Sequence, residues 1–194
     1  MARSGERKTQ ILQTLAQMLE GPAAERVTTA ALAAKIEVSE AALYRHFSGK
    51  AAMFAGLIDF VEETVFALIN RITSDEQSGV RQIEAIMTML LGFAQKNRGM
   101  TRVLIGDALV SEDSALQGRI NQIHDRIEAA LKQALRFAVT RQEIAADVDL
   151  AAQANLLMSV IAGRWQQYAK SGFRRDPLEY WTPQWKQLME GVLA

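Results

Sequence analysis

Residues 28–50 read TTAALAAKIEVSEAALYRHFSGK, and this stretch decides the fold. Thr28 is a helix N-cap residue type, and Leu32 and Ile36 follow it four apart on one helical face. Val27 precedes the cap and can reach Leu32, a hydrophobic staple that fixes how the chain enters the helix. The signal then repeats. Ser39 is a second cap, Val38 precedes it, and Leu43 and Phe47 continue the buried face. Only Glu37 and Val38 separate the first helix from the second cap. Two short helices joined by so tight a turn make a helix-turn-helix, whose second helix enters a DNA major groove.

The residues left facing outward agree with that reading. Ala41 and Ala42 are small enough for the second helix to lie deep in the groove. Tyr44, Arg45 and His46 project toward phosphates and base edges, and Glu40 stands in the same helix's first turn. Lys50 opens the next long helix, where its ammonium and the free backbone N–H groups can hold a phosphate. Thr28, Thr29 and Ser39 position the backbone. Further upstream, Arg3, Arg7 and Lys8 either follow a DNA backbone or form a solvated start.

The run V-S-E-A-A-L-Y-R-H-F-S-G-K, with Thr28-Thr29 upstream, resembles the DNA-binding domain of the TetR family. The resemblance implies an all-α protein with a three-helix reader domain, residues 1–50. A helical dimerisation and interaction domain follows, residues 51–194. One departure stands out: members of the family usually carry Gly where this chain has Glu37. That residue ends the first helix, where a left-handed conformation suits Gly and costs other residues about 1 kcal/mol. The turn is expected to be strained or shifted.

Composition sets the remaining bounds. The chain has 194 residues, enough for one or two domains with a sizeable core. Its formal net charge is zero, with 22 basic and 22 acidic side chains, so a DNA-binding surface requires uneven distribution. Residues 1–50 hold seven Lys or Arg against five Asp or Glu, a weak surplus in the expected direction. There is no Cys, which excludes disulfides and thiolate metal sites. No uncharged apolar run of about 18 residues occurs and the N-terminus is polar, so a cytoplasmic protein without a membrane span is expected. Ala, Leu, Gln, Glu and Arg dominate and β-branched alternation is absent, which again points to all-α.

Periodicity places helices at about 6–20, 50–72, 79–96, 100–109 and 114–140. Another runs from Asp147 or Asp149 to about Ser171. A last one has Thr182 as cap and Pro183 at its first position. Residues 1–5 are expected to be disordered. The helix near 149–171 carries Leu156, Leu157, Val160, Ile161, Trp165 and Tyr168, more apolar surface than a monomer tolerates. A homodimer is therefore expected, in which helices 114–140 and 149–171 pair with their symmetry mates as a four-helix bundle. Leu157, Ile161 and Trp165 take its central positions; the alternative places them in the monomer core.

No catalytic set is found, and the chain does not read as an enzyme. His46 lies on the reader helix and His124 stands alone within a helix. No H-E-x-x-H, G-x-G-x-x-G or P-loop spacing occurs. No metal or cofactor is expected. Thr88 is a polar residue on an otherwise apolar inward face, read as a hydrogen-bonded core residue.

A narrower resemblance covers nearly the whole chain. The stretches L-L-G-F-A-Q-K-N-R-G-M-T-R-V-L (90–104), L-Q-G-R-I-N-Q-I-H-D-R-I-E-A-A-L (116–131) and G-F-R-R-D-P-L-E-Y-W (172–181) resemble the nucleoid-occlusion branch of the TetR family. The resemblance implies a nucleoid-associated protein that binds palindromic double-stranded DNA scattered over the chromosome. DNA-bound, such proteins antagonise assembly of the tubulin-like division GTPase FtsZ. The competing class is a ligand-responsive TetR-type repressor with an effector pocket. For an FtsZ tail, Phe60 and Met89 offer an apolar floor, and Lys96, with Asn97 and Arg98 beside it, can attract acidic residues. Gly92 either leaves room for an incoming backbone or permits close helix packing.

Overall fold

The capping residues set the elements of the reader. In the computed structural model, which describes residues 4–21, 27–110 and 112–193, α1 spans Ser4–Met18. Thr28 caps α2, Thr29–Lys35, by accepting from the Ala31 N–H at 3.1 Å. Ser39 caps α3, Glu40–Tyr44, by accepting from Ala42 N–H at 3.3 Å. The burial agrees with both staples: Val27 and Leu32 are buried, Leu43 is wholly so, and Val38 is half-buried. The long helices α4 (Lys50–Asp75), α5 (Gly79–Lys96), α7 (Ser114–Thr140) and α8 (Leu150–Lys170) follow, with the short α6 (Arg98–Leu104) between α5 and α7. The last helix is α9, Trp181–Met189. Among the described residues every regular element is helical.

Several boundaries differ from expectation for identifiable reasons. Ser4 and Gly5 already belong to α1; residues 1–3 and Pro22 lie outside the described residues. α4 runs on past Ile72 because buried Gln82 donates its side-chain amide to the Thr73 and Glu76 carbonyls (3.2 and 2.8 Å), satisfying a helix end. The helix expected over 100–109 is two pieces. Gly106, at φ 76°, breaks it between α6 and a 3₁₀ turn, Asp107–Leu109. At α9 the cap is Tyr180 in a left-handed conformation (φ 57°), not Thr182, so Pro183 is the third helical residue rather than the first. Asp149 is the cap of α8, accepting from the Ala151 and Ala152 N–H groups. The Ala152 and Ala151 bonds hold its carboxyl below the ordinary aspartate range.

The contacts group the residues into two compact units. The first unit comprises residues 1–62 and 97–120; the second comprises 63–96 and 121–194. Residues 97–120 join the reader because α6 lies directly on α1: a Cβ at Gly99 would strike the Ala16 carbonyl. In the same unit Arg119 of α7 binds Asp59 and Glu62 of α4 at 2.7 and 3.1 Å. Burial acts to lower the Arg119 pKa, but the two carboxylates outweigh it and raise it.

In the second unit α5 is apolar through its buried face, with Ile83, Ile86, Met87, Leu90 and Leu91 at zero exposure. Ile127, Leu131 and Leu135 of α7 and Leu157, Ile161 and Trp165 of α8 are equally buried. Trp165 donates its indole N–H to the Leu90 carbonyl at 3.2 Å, which satisfies the one polar atom of the largest core side chain. Thr88 accepts from the Trp181 indole N–H at 2.8 Å.

That burial corrects the expected dimer contacts. Leu157, Ile161 and Trp165 have zero exposure within a single chain, so no partner can reach them. They pack their own monomer. The face α8 turns to solvent instead carries Ala152, Leu156, Ser159 and Gly163 at helical spacing, with Leu156 46% exposed.

Candidate nucleic-acid interface and partner groove

The turn of the helix-turn-helix adopts the conformation its sequence resists. Glu37 has φ 56°, in the left-handed region. Its N–H donates to the Ala34 carbonyl at 3.2 Å, and that of Val38 to Ala33 at 3.0 Å. This pair of bonds is a Schellman motif, in which the position held by Glu37 favours glycine. The turn is not shifted: the strain is accepted, and α3 follows in register.

Leu43 is the one buried residue of α3, and Ala42 beside it is half-buried. Ala41, Tyr44 and Arg45 are exposed, and His46 is half-buried. Thr29 and Glu40 have a task besides any contact with DNA. The Thr29 hydroxyl donates to Glu40 Oε2 at 2.7 Å, and the Tyr44 hydroxyl donates to Thr29 Oγ1 at 3.4 Å. This chain ties the start of α2 to α3 on the outer face and fixes the Tyr44 ring. Arg7 of α1 lines a cavity of about 190 Å³ with Arg45 and His46, so three nitrogen-bearing side chains converge beside the reader. Lys8 sits over the Phe47 ring at 5.8 Å. Arg3 lies outside the described residues.

Lys50 departs from expectation. It does open α4, but its ammonium is not free for a phosphate: Nζ lies 2.5 Å from Glu112 Oε1. It also stands 5.6 Å from the centre of the Phe54 ring. Glu112 escaped the sequence reading because no periodic or capping signal connects it to a residue so distant in the chain.

The residues expected to hold a peptide divide between the two units. In the second unit a cavity of about 470 Å³ is lined by Leu68, Arg71, Ile72 and Asp75 of α4, by Glu76, and by Ala85 and Met89 of α5. Met89 is the one predicted groove residue among them. Leu68 is 37% exposed although it shares the helical period of buried Val65 and Ile69. Gly92 is not a packing glycine, since a Cβ there would meet nothing within 4 Å. Lys96 is exposed at the end of α5. Phe60 and Asn97 belong to the first unit. Phe60 is 47% exposed, and the Asn97 carbonyl accepts from the Thr101 N–H and hydroxyl as α6 begins.

A third cavity, about 560 Å³, opens beside α8 and is lined by Val160, Gly163, Gln167 and Tyr180 among others. Arg164 on its wall donates to the Pro177 and Glu179 carbonyls (2.5 and 3.1 Å) and to Gln184. Burial lowers the Arg164 pKa, against the nearby Asp176 and Glu179 carboxylates. Among the described residues no cluster of three His, Asp or Glu is placed to hold a metal ion, and no helix is long and apolar enough to cross a membrane.

A capped helix-turn-helix followed by a long-helix domain defines a helical DNA-binding regulator. The comparisons give the family. The model for bacterial regulatory proteins of the TetR family matches residues 11–57, and a tetracyclin repressor-like C-terminal domain model of SlmA-like type matches residues 77–192. The nucleoid occlusion factor SlmA of Marinomonas sp. is 48% identical over 191 residues, covering 98% of this chain and 97% of that protein. That of Idiomarina loihiensis is 48% identical over 187 residues, covering 96% and 95%. Among solved structures, a TetR transcription regulator from Haloarcula marismortui superposes with a TM-score of 0.82 at 17% identity, covering 98% of this chain and all of that one. AibR, in complex with isovaleryl coenzyme A and operator DNA, gives 0.73 at 16% identity, covering 93% and 97%. These two share the fold. The chain belongs to the TetR family and carries its SlmA-like C-terminal domain.

Proposed function

We propose that this protein is a nucleoid occlusion factor. As a homodimer it binds palindromic DNA at many chromosomal sites through α3 and, when DNA-bound, inhibits FtsZ ring assembly. The observation that carries this reading is the 48% identity to SlmA over nearly the full length of both chains. A palindrome read by a helix-turn-helix requires two readers related by a two-fold axis, and the outward Ala152, Leu156, Ser159 and Gly163 stripe of α8 is the surface for that pairing. Arg45 and Tyr44 supply the side-chain contacts to DNA, with Thr28 and Ser39 fixing the backbone.

The groove between α4 and α5 in the second unit is the surface for the FtsZ tail. Leu68, Ile72 and Met89 give it an apolar floor and Arg71, beside Asp75 and Glu76, a cationic group; Gly92 and exposed Lys96 follow on α5. The filled interior of α5, α7 and α8 supports this reading over that of a repressor enclosing an effector.

Mapping the protein's binding sites across the chromosome tests the proposal. Many dispersed palindromes are expected. A single site beside its own gene would point to a local repressor instead.

A further inference from the structure

The ion pair between Lys50 and Glu112 lies at the junction of the reader and the rest of its unit. Lys50 is the first residue of α4 and follows the reader helix by a short turn. Its ammonium is 2.5 Å from Glu112 Oε1, and the Glu112 side chain is only 9% exposed while that of Lys50 is 30% exposed. The carboxylate is therefore mostly shielded from water and the ammonium retains an open side. Glu112 sits on the connection that enters α7, its N–H bonded to the Leu109 carbonyl at 2.9 Å. The same connection carries Val110, 88% exposed. At its start Asp107 is held by Arg102 at 2.8 Å, both side chains largely buried.

A lysine at this place is the residue type that neutralises a DNA phosphate, and the counterion it releases appears in the salt dependence of binding. Here it already has an anion. We propose that Glu112 is an internal competitor for the DNA phosphate: it holds Lys50 in the free protein and weakens binding to every duplex until phosphate displaces it. The proposal rests on the DNA-binding reading above. Its physical basis is exchange of one anion for another at a single ammonium. A partly shielded carboxylate that loses its cation is left unfavourably placed, so the connection bearing Glu112 must open toward water as DNA binds. Glu112 thereby lowers affinity for specific and non-specific duplexes by the same factor.

The test uses the full-length protein and duplexes that the parent selects from a random-sequence library, with a scrambled duplex as control. Glu112→Gln keeps the shape and removes the charge. It is expected to tighten binding to selected and scrambled duplexes alike by about fivefold, the scale of one partly exposed ion pair. The dependence of log affinity on log salt should keep the parent's slope, since phosphate holds Lys50 in both complexes. Lys50→Gln with Glu112→Gln should lose that gain and flatten the salt dependence by about 0.9, one phosphate contact fewer. Thermal melting of each variant establishes that it is folded. Unchanged or weaker DNA binding by a folded Glu112→Gln protein would overturn the proposal and make the pair a structural clamp. A gain that persists in the double variant would overturn it too. If the parent selects no duplex at all, the DNA-binding reading fails instead.

Discussion

The reader helix α3 and the long helix α8 were read from the same kind of signal, with opposite results. In α3 and at its C-cap the side chains expected to act on a partner, Tyr44 and Arg45, are exposed, and Leu43 alone of the helix is buried. In α8 the side chains expected to meet a partner, Leu157, Ile161 and Trp165, are wholly inside the monomer. The difference lies in what each helix leaves open. α3 is bounded by a cap and a turn and has one apolar anchor, so the outward set follows by elimination. α8 is apolar on more than one face. The helical period then says which residues share a face but not whether that face meets its own core or a second copy.

The largest effect that sharpens this contrast comes from Trp165→Ala. Its indole fills the core of the second unit and bonds the Leu90 carbonyl, so truncation should cost about 3–5 kcal/mol in urea unfolding. A loss below about 1 kcal/mol would return Trp165 to the surface. One helical face away, Leu156→Glu should leave the far-ultraviolet circular dichroism unchanged and halve the mass seen by light scattering at micromolar concentration. A variant that stays dimeric would place the pairing surface elsewhere.

On the reader side, Arg45→Ala should weaken binding to the selected duplex by about 1–3 kcal/mol if the guanidinium reads a base edge. Equal loss on scrambled DNA would reduce Arg45 to a phosphate contact. The smallest effect is at Glu37, whose φ of 56° belongs to glycine. Glu37→Gly should raise stability by about 1 kcal/mol, visible as a higher denaturation midpoint with an unchanged slope. A decrease would show that the Glu37 side chain contributes something the turn geometry does not reveal.

The fold was legible because caps and periods are local. Thr28, Ser39 and Asp149 each cap a helix through backbone N–H groups a few residues away, and no distant part of the chain is needed to find them. The strain at Glu37 was legible for the same reason. The candidate sites were legible only where local signals sufficed. Glu112 could not be paired with Lys50, nor Leu68 turned outward, because both facts depend on packing between segments far apart in the chain. Gly92 was left with two readings, and open space around its Cα decides against close packing. The third helical position of Pro183 was missed because a left-handed Tyr180 gives no sequence signal for a cap.

The central claim is that DNA-bound protein engages the division machinery through the α4–α5 groove of the second unit. Fluorescence anisotropy of a labelled FtsZ C-terminal tail peptide, titrated with the full-length protein in the presence and absence of its selected duplex, tests it most directly. The account predicts saturable binding when the duplex is present and little without it, lost in Gly92→Asp and in Leu68→Glu while both variants retain the parent's affinity for DNA. Peptide binding that survives both substitutions, or its absence from parent protein saturated with duplex, would contradict it.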